Sequence, residues 1–249
     1  MKPNKLLFIS IVLLISQLTL FGQKTEYQIS LNSGLFSYSG NATKQPTFFH
    51  FNDVPPYKYV VNPVSNKNNL GYGISGNMKR ITKPHIILGF DIGYEVFENK
   101  KPLSGVIGQI GQVSASGQVS INTQSINLYP FLGYRLQLAK TKFDITGGLD
   151  IGYRLNDAKA NVNILYSNGK KEEYKVDDIQ RAKKDVRLRI QLASNFTRWG
   201  IYAGYSLGVS KYDIETFDKE WNRAHSAYSR IIRFGVTYMI NYPTLSITN

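Results

Sequence analysis

Residues 228–240 place Tyr228, Ile232, Phe234, Val236, Tyr238 and Ile240 on one face and Ser229, Arg233, Gly235 and Thr237 on the other. A period of two held over a dozen residues predicts a strand, because successive side chains of an extended chain point to opposite sides. One face is apolar throughout and the other is small or charged. A strand reads this way when hydrocarbon lies on one side and a polar interior on the other.

The same alternation recurs in seven earlier segments. Tyr27, Ile29, Leu31 and Leu35 oppose Gln28, Ser30, Asn32 and Gly34, and Leu70, Tyr72, Ile74 and Met78 oppose Gly71, Gly73, Ser75 and Asn77. A third strand sets Ile86, Leu88, Phe90, Ile92, Tyr94 and Val96 against Gly89, Asp91, Gly93 and Glu95. The fourth has Ile126, Leu128, Leu132, Tyr134 and Leu136 against Asn127, Tyr129, Gly133 and Arg135, and the fifth has Phe143, Ile145, Leu149, Ile151 and Tyr153 against Asp144, Thr146, Gly148, Asp150 and Arg154. The sixth opposes Val186, Leu188, Ile190, Leu192 and Phe196 to Arg187, Arg189, Gln191 and Asn195, and the seventh opposes Trp199, Ile201, Ala203, Tyr205, Leu207 and Val209 to Gly204, Ser206, Gly208 and Ser210. Charges keep to the second face.

Short connections around Lys83-Pro84, residues 139–141 and Thr197-Arg198 alternate with long ones after the first, third, fifth and seventh strands. This predicts an all-β fold: an eight-stranded antiparallel up-and-down transmembrane β-barrel, with short periplasmic turns, long extracellular loops and both termini periplasmic. A two-sheet sandwich would bury the same apolar faces between its sheets. Charges on the opposite faces of several strands, mixed with glycine, favour the barrel. Pro130 falls inside the fourth strand and lacks the N–H a closed sheet uses, so a bulge or irregular pairing is expected there. Asn168-Gly169 marks a hairpin turn, read as a continuation of strands five and six beyond the bilayer.

Ahead of the strands, Lys2 and Lys5 precede an apolar run from Leu6 to Phe21 closed by Gly22. This is the pattern of a secretory signal peptide spanning residues 1–22, with residues 23–249 forming the barrel domain. Leu20 departs from the small-x-small preference before the cut. The chain has no cysteine, which excludes disulfides, thiolate metal sites and lipoprotein attachment. Its formal charge is +13, and removal of Lys2 and Lys5 with the signal leaves about +11. In an exported chain that charge suits the anionic headgroups of outer-membrane lipid and lipopolysaccharide, not nucleic acid.

An eight-stranded barrel is only wide enough for side chains to fill it. Arg135, Arg154, Arg187, Arg189 and Arg233, facing inward beside Asp91, Glu95, Asp144 and Asp150, are therefore expected to pair as a polar plug that leaves no solute path. A narrow porin is the alternative if further strands hide in the loops. The competing class is a lipid-modifying barrel enzyme, for which His50, His85 and His225 (followed by Ser226) are the candidate bases. Neighbours on an extended segment point apart, so each histidine is expected at the surface and no catalytic residue is assigned. No metal-ligand spacing or phosphate-cradling loop is present, and no cofactor is expected. Gly105, Gly108, Gly111 and Gly117 read as a mobile loop.

The segment Leu128-Tyr-Pro-Phe-Leu-Gly-Tyr134, the export signal and the closing strand together resemble the PorT-like outer membrane protein beta-barrel domain family of Bacteroidota. Arg233-x-Gly235-x-x-Tyr238-x-Ile240 resembles the signal that the barrel assembly machinery reads on a last strand. Crowding relief by Gly235 would produce the same spacing. The resemblance implies a structural or interaction module of the envelope, an accessory of a secretion or assembly system with an envelope protein as partner. Phe48, Phe49, Phe51, Tyr57 and Tyr59 of the first long loop are the candidate partner surface, or else they pack over the barrel mouth. The third long loop is salted with Lys170, Lys171, Lys175, Glu172 and Glu173 and is read as a solvated hairpin.

Overall fold

The computed structural model describes residues 24–51, 58–109, 111–138, 141–156, 159–177, 183–214 and 225–241. The predicted signal peptide and its cleavage site, Tyr57 and the tail beyond Asn241 lie outside the described residues. Among the described residues, fifteen strands and one 3-10 turn are formed: β1 (Lys24–Ser39), the turn Asn41–Lys44, β2 (Phe48–Phe51), β3 (Lys58–Val61), β4 (Asn69–Ile81), β5 (Ile86–Pro102), β6 (Gly105–Gly108), β7 (Gly111–Val113), β8 (Ala115–Leu138), β9 (Thr141–Arg154), β10 (Ala160–Tyr166), β11 (Lys171–Val176), β12 (Lys184–Phe196), β13 (Trp199–Gly208), β14 (Tyr212–Ile214) and β15 (His225–Met239).

Eight of these close on themselves. β1 pairs with β4, β4 with β5, β5 with β8, β8 with β9, β9 with β12, β12 with β13, β13 with β15, and β15 returns to β1, every pair antiparallel. These are the eight strands predicted from the alternation, and the remaining strands stay outside the ring. Closure removes the free edges that an open sheet would expose. Among the described residues, turns at Thr82–His85 and Thr197–Arg198 join ring strands at one end, and His85 (φ 67°) and Thr197 (φ 45°) take left-handed conformations to make them.

The ring is turned inside out relative to a soluble protein. Leu31, Leu70, Ile190, Leu192, Ile201 and Leu132 are all more than half exposed, whereas Arg233, Asp150 and Glu26 are buried. No burial of apolar surface in water accounts for that arrangement, but hydrocarbon outside the wall does. Exposed aromatics gather toward both ends of the apolar face, Tyr72, Tyr94, Tyr153 and Tyr205 toward the loop end and Tyr27, Tyr134, Phe143, Phe196 and Trp199 toward the turn end. Along β9 the two groups are ten residues apart at Tyr153 and Phe143; at about 3.3 Å per residue and a tilt of about 40°, that spans roughly 25 Å, the height of a bilayer-facing band.

Pro130 produces no bulge, but the irregular pairing that is the other expectation there is present. The β8–β9 register runs Leu128↔Ile151, then resumes at Phe131↔Gly148 without an extra residue, so two positions of the ladder are skipped and the register is kept. On the other side Pro130 pairs regularly with Phe90. The missing donor faces β9, where a Cβ on Gly148 would lie 2.1 Å from the Pro130 carbonyl oxygen. Glycine at 148 thus lets the two backbones pass at a point where they exchange no ladder bond.

Above the loop end the sheet continues, and two expectations change. The Asn168-Gly169 hairpin exists, with Gly169 at φ 81°. Its strand β10 pairs with the upper part of β8, from Ile121↔Ala160 to Ala115↔Tyr166, and does not prolong strands five and six. β5 and β8 are the strands that outgrow the bilayer, with β10 and β11 stacked over the end of β9. The glycine-rich segment read as a mobile loop is ordered: β6 and β7 join β2 and β3 in a four-stranded sheet, with β2 and β6 parallel. This sheet packs on the β8–β10–β11 extension through Phe49, Val106, Val119, Ile121, Val162, Ile164 and Val176. The expectation that Phe49 offers a partner surface is corrected here: its side chain is fully buried in this second core. Phe51 packs half-buried against that core, whereas Phe48 and Tyr59, also half-buried, lie on the opposite face of the loop sheet, Tyr59 stacked on His50.

Candidate functional site

The candidate site is the lumen, and its charges come in two clusters set by which strands carry an inward acid or base. Near the turn end, Arg135 on β8 reaches Glu26 on β1 with both Nη atoms, at 2.9 and 2.8 Å, and Asp144 on β9 through Nε at 2.6 Å. Lys79 on β4 adds a bond of 2.6 Å to Asp144 and lies 3.7 Å from Glu26. Asn195 donates to Asp144 at 3.3 Å and receives from Gln28 at 3.2 Å. Two cations and two carboxylates are thus interlocked across four strands, and Asn195 on β12 adds a fifth. Ile81, Ile87, Phe131 and Tyr129 form a small apolar cluster at this same end.

The second cluster fills the middle. Arg233 on β15 grips Glu95 on β5 bidentately, Nε to Oε1 at 2.6 Å and Nη2 to Oε2 at 2.8 Å, and its Nη2 stands 2.9 Å from Asp150 on β9. Arg187 on β12 approaches Asp150 at 3.0 Å and Asp185 at 3.1 Å, and donates to Asn127 at 2.6 Å. Asn127 in turn donates to Glu95 at 2.6 Å, and Ser206 to Asp150 at 3.0 Å. Between the clusters, Asp91 accepts from Ser75 at 2.9 Å, while the Arg189 guanidinium lies 4.3 Å from the Tyr129 ring centre and donates to Gln191. Each of these ions would be costly alone in such a space, and charge-assisted pairing offsets that cost.

The structure thus brings Arg135 together with Asp144, and Glu95, Asp150, Arg187 and Arg233 into one network, with Asp91 and Arg189 between. Arg154 lies at the mouth, lining a cavity of about 30 Å³ with Lys183, Asp185 and Arg187. Glu26, Lys79 and Asp185 were not anticipated. Each continues the inward parity of its strand by one or two residues past the apolar run (Glu26 before Gln28, Lys79 after Asn77, Asp185 before Arg187), so extending the alternation finds all three.

The first long loop closes the top. Phe36, Tyr38, Phe97, Ala227 and Ile231 face inward from three barrel strands and pack against Ala42 and Val64 of that loop. Two side chains of β5 pin it. Asn99 bonds the Ser65 backbone twice, at 3.0 and 3.3 Å, and the buried Lys101 ammonium donates to the carbonyls of Gln45 at 2.8 Å and Asn62 at 2.9 Å. Burial pushes Lys101 down to about 8 from the ordinary 10.5. An open loop, with Lys101 at its ordinary value, therefore binds more protons than the closed one between about pH 8 and 10.5. Closure strengthens as pH rises through that window. Protease nicking of the loop is expected to slow on the order of tenfold between pH 7.5 and 9.5, after correction for protease activity, and to lose that dependence in Lys101→Met.

Among the described side chains, His50 and His85 lie at opposite ends of the barrel and assemble no second site; the side chain of His225 lies outside those described. His85 lies in a tight turn beside Tyr134, and His50 stacks on Tyr59 at 4.5 Å above the opposite end. Gly235 has a structural demand of its own: a Cβ there would meet the Leu31 carbonyl at 2.5 Å and the Tyr202 ring at 2.7 Å. Tyr238 packs edge-on against Trp199, and Ile240 faces outward.

No family model matches the chain, and no curated protein matches it. Among solved structures it is similar to Neisserial surface protein A, at 10% identity over 86% of this chain and 98% of that one, with a TM-score of 0.36. It is also similar to Ail, the attachment invasion locus protein of Yersinia pestis (10%, 88% and 99%, TM-score 0.34), and to the outer membrane protease OmpT from Escherichia coli (10%, 87% and 96%, TM-score 0.32). These are likenesses of fold, and closure of the ring rests on this chain's own register. The chain is an eight-stranded antiparallel barrel of the outer-membrane type, with a charge-filled lumen and a loop packed into one mouth.

Proposed function

We propose that this barrel serves an outer membrane as a structural or interaction module, neither conduit nor catalyst, with the turn end and both termini in the periplasm and the loop end outside. The observation that carries the reading is the double closure of the lumen, by interlocked ion pairs in the middle and by the Phe36, Tyr38, Phe97 and Val64 plug above. What remains available to a partner is the exterior: the wall, which meets lipid, and the small two-layer β structure that the loop end raises above it. Kinship with PorT-like barrels, and with it a place beside a secretion or assembly system, belongs to this proposal. So does recognition of Arg233, Gly235, Tyr238 and Ile240 by the assembly machinery. In Gly235 that role coincides with a steric one, so exchange there would impair folding by either route.

The test is electrical. In planar bilayers the refolded full chain is expected to give no conductance steps, and deletion of residues 41–64 is expected to leave it silent, because the charge network closes the lumen without the loop. Steady channel steps from the intact chain would establish a narrow porin instead, and altered lipid A in membranes carrying the chain would establish an enzyme.

A further inference from the structure

Beyond the bilayer band, β5, β8, β10 and β11 form one continuous sheet whose inner side is closed by the second core. Its outer side is a grid set by the register. One row reads Lys100, Ser120, Asn161, Lys175, and the next reads Pro102, Gln118, Asn163, Glu173. Directly paired residues point to the same face, so these side chains stand together on the outside. The face is neutral and amide-rich in its centre, with a lysine at each end of the first row. Lys100 is held by Glu98 at 2.8 Å. Gln118, Asn161 and Asn163 spend no side-chain hydrogen bond on any other described residue.

We infer that this face is a docking surface for the saccharide headgroup of lipopolysaccharide lying alongside the barrel. The inference rests on the outer-membrane placement and orientation proposed above. The first argument is position. Along β8 the outward residues pass from Leu128 and Ile126 to Gln124, Asn122, Ser120 and Gln118 with no break in the strand. A glycolipid whose acyl chains cover the lower residues has its headgroup against the upper ones, since Ser120 stands about 15 Å above Ile126 at ordinary strand rise and tilt.

The second argument is chemistry. Each primary amide carries two N–H donors and a carbonyl acceptor, and rows of them match the paired donors and acceptors of sugar hydroxyls. Two recesses open on the face, one of about 630 Å³ lined by Gln118, Asn163, Leu165 and Lys171, and one of about 450 Å³ lined by Asn122, Asn161 and Lys175. The third argument is rigidity. The apolar side chains behind the face are fully buried, so the grid is held in place before anything binds and little ordering cost falls on binding.

Because the chain has no cysteine, a single Asn163→Cys can carry a spin label, with Asn168→Cys at the hairpin tip as control. The full chain is refolded into nanodiscs of lipopolysaccharide with its core sugars, of lipid A without them, and of phosphatidylglycerol. The label at 163 is expected to be slowed severalfold only where core sugar is present, and Gln118→Ala with Asn161→Ala is expected to restore its mobility. Equal mobility in all three discs overturns the inference. Equal slowing by lipid A overturns it too, assigning the face to phosphate, and slowing seen only in native membranes assigns it to a protein. Failure to enter any disc, with no heat-shifted band, overturns the membrane placement itself and is told apart from these results by that band.

Discussion

Arg233→Met is expected to lower the unfolding free energy of the barrel by about 3–5 kcal/mol, the range for breaking a buried ion pair from one side. Arg233 is 1% exposed and holds Glu95 bidentately and Asp150 singly. Methionine fills the space but leaves two carboxylates facing each other, with Arg187, Asn127, Asn32 and Ser206 to answer them. Most of the loss is therefore the cost of stranded charge. Adding Glu95→Gln and Asp150→Asn to Arg233→Met should recover a large part of it, since replacing a whole buried ionic group is often close to neutral. Urea titration of the refolded protein in vesicles, followed by heat-shifted gel migration, measures both. A loss below about 1 kcal/mol for the single variant, the ordinary scale of surface ion pairs, would mean that water reaches these groups and that the lumen is open.

The two-fold alternation exposed the ring because a wall with lipid outside and charges inside imposes one rule on every spanning residue. Tyr153 and Arg154, or Phe234 and Arg233, could be sorted by parity alone. The same rule extended by a residue would have placed Glu26, Lys79 and Asp185. Above the bilayer the rule ends. The outward residues of β8 become Gln124 and Asn122, and no sharp contrast between faces marks Ala115–Gly117 as part of a strand. Phe49 and Val106 meet through a parallel pairing of β2 with β6, two segments more than fifty residues apart, and nothing local in either announces the other. Lys101 looks like any loop lysine in sequence; its role comes from Gln45 and Asn62 carbonyls that only the folded loop brings to it. Pro130 was correctly marked as a misfit, but the remedy came from Gly148 across the ladder, not from an inserted residue.

Leu149→Arg is expected to cost about 2–4 kcal/mol, whereas Gln118→Arg costs about 0–1 kcal/mol. The two residues are alike in ring geometry, each facing outward from a barrel strand, and differ in what lies outside. Leu149 is 45% exposed and lies within the band, four residues from Tyr153 and six from Phe143 on its own strand. A guanidinium there must reach about 10 Å to the nearer interface, farther than its stem extends, so it thins the bilayer or draws water inward. Gln118 stands above the loop-end aromatics, where arginine stays hydrated. The pair also separates the barrel from a sandwich in water, in which outward Leu149 would be a packed core residue. In a sandwich the arginine would unfold the chain in detergent-free buffer, without any lipid dependence. In the barrel the penalty is expected to grow in bilayers of longer acyl chains and shrink in shorter ones, because thickness sets the distance the charge must be carried. Equilibrium unfolding of both variants in vesicles of two acyl lengths measures that dependence, and a penalty at Leu149 that ignores thickness would place this wall against something other than lipid.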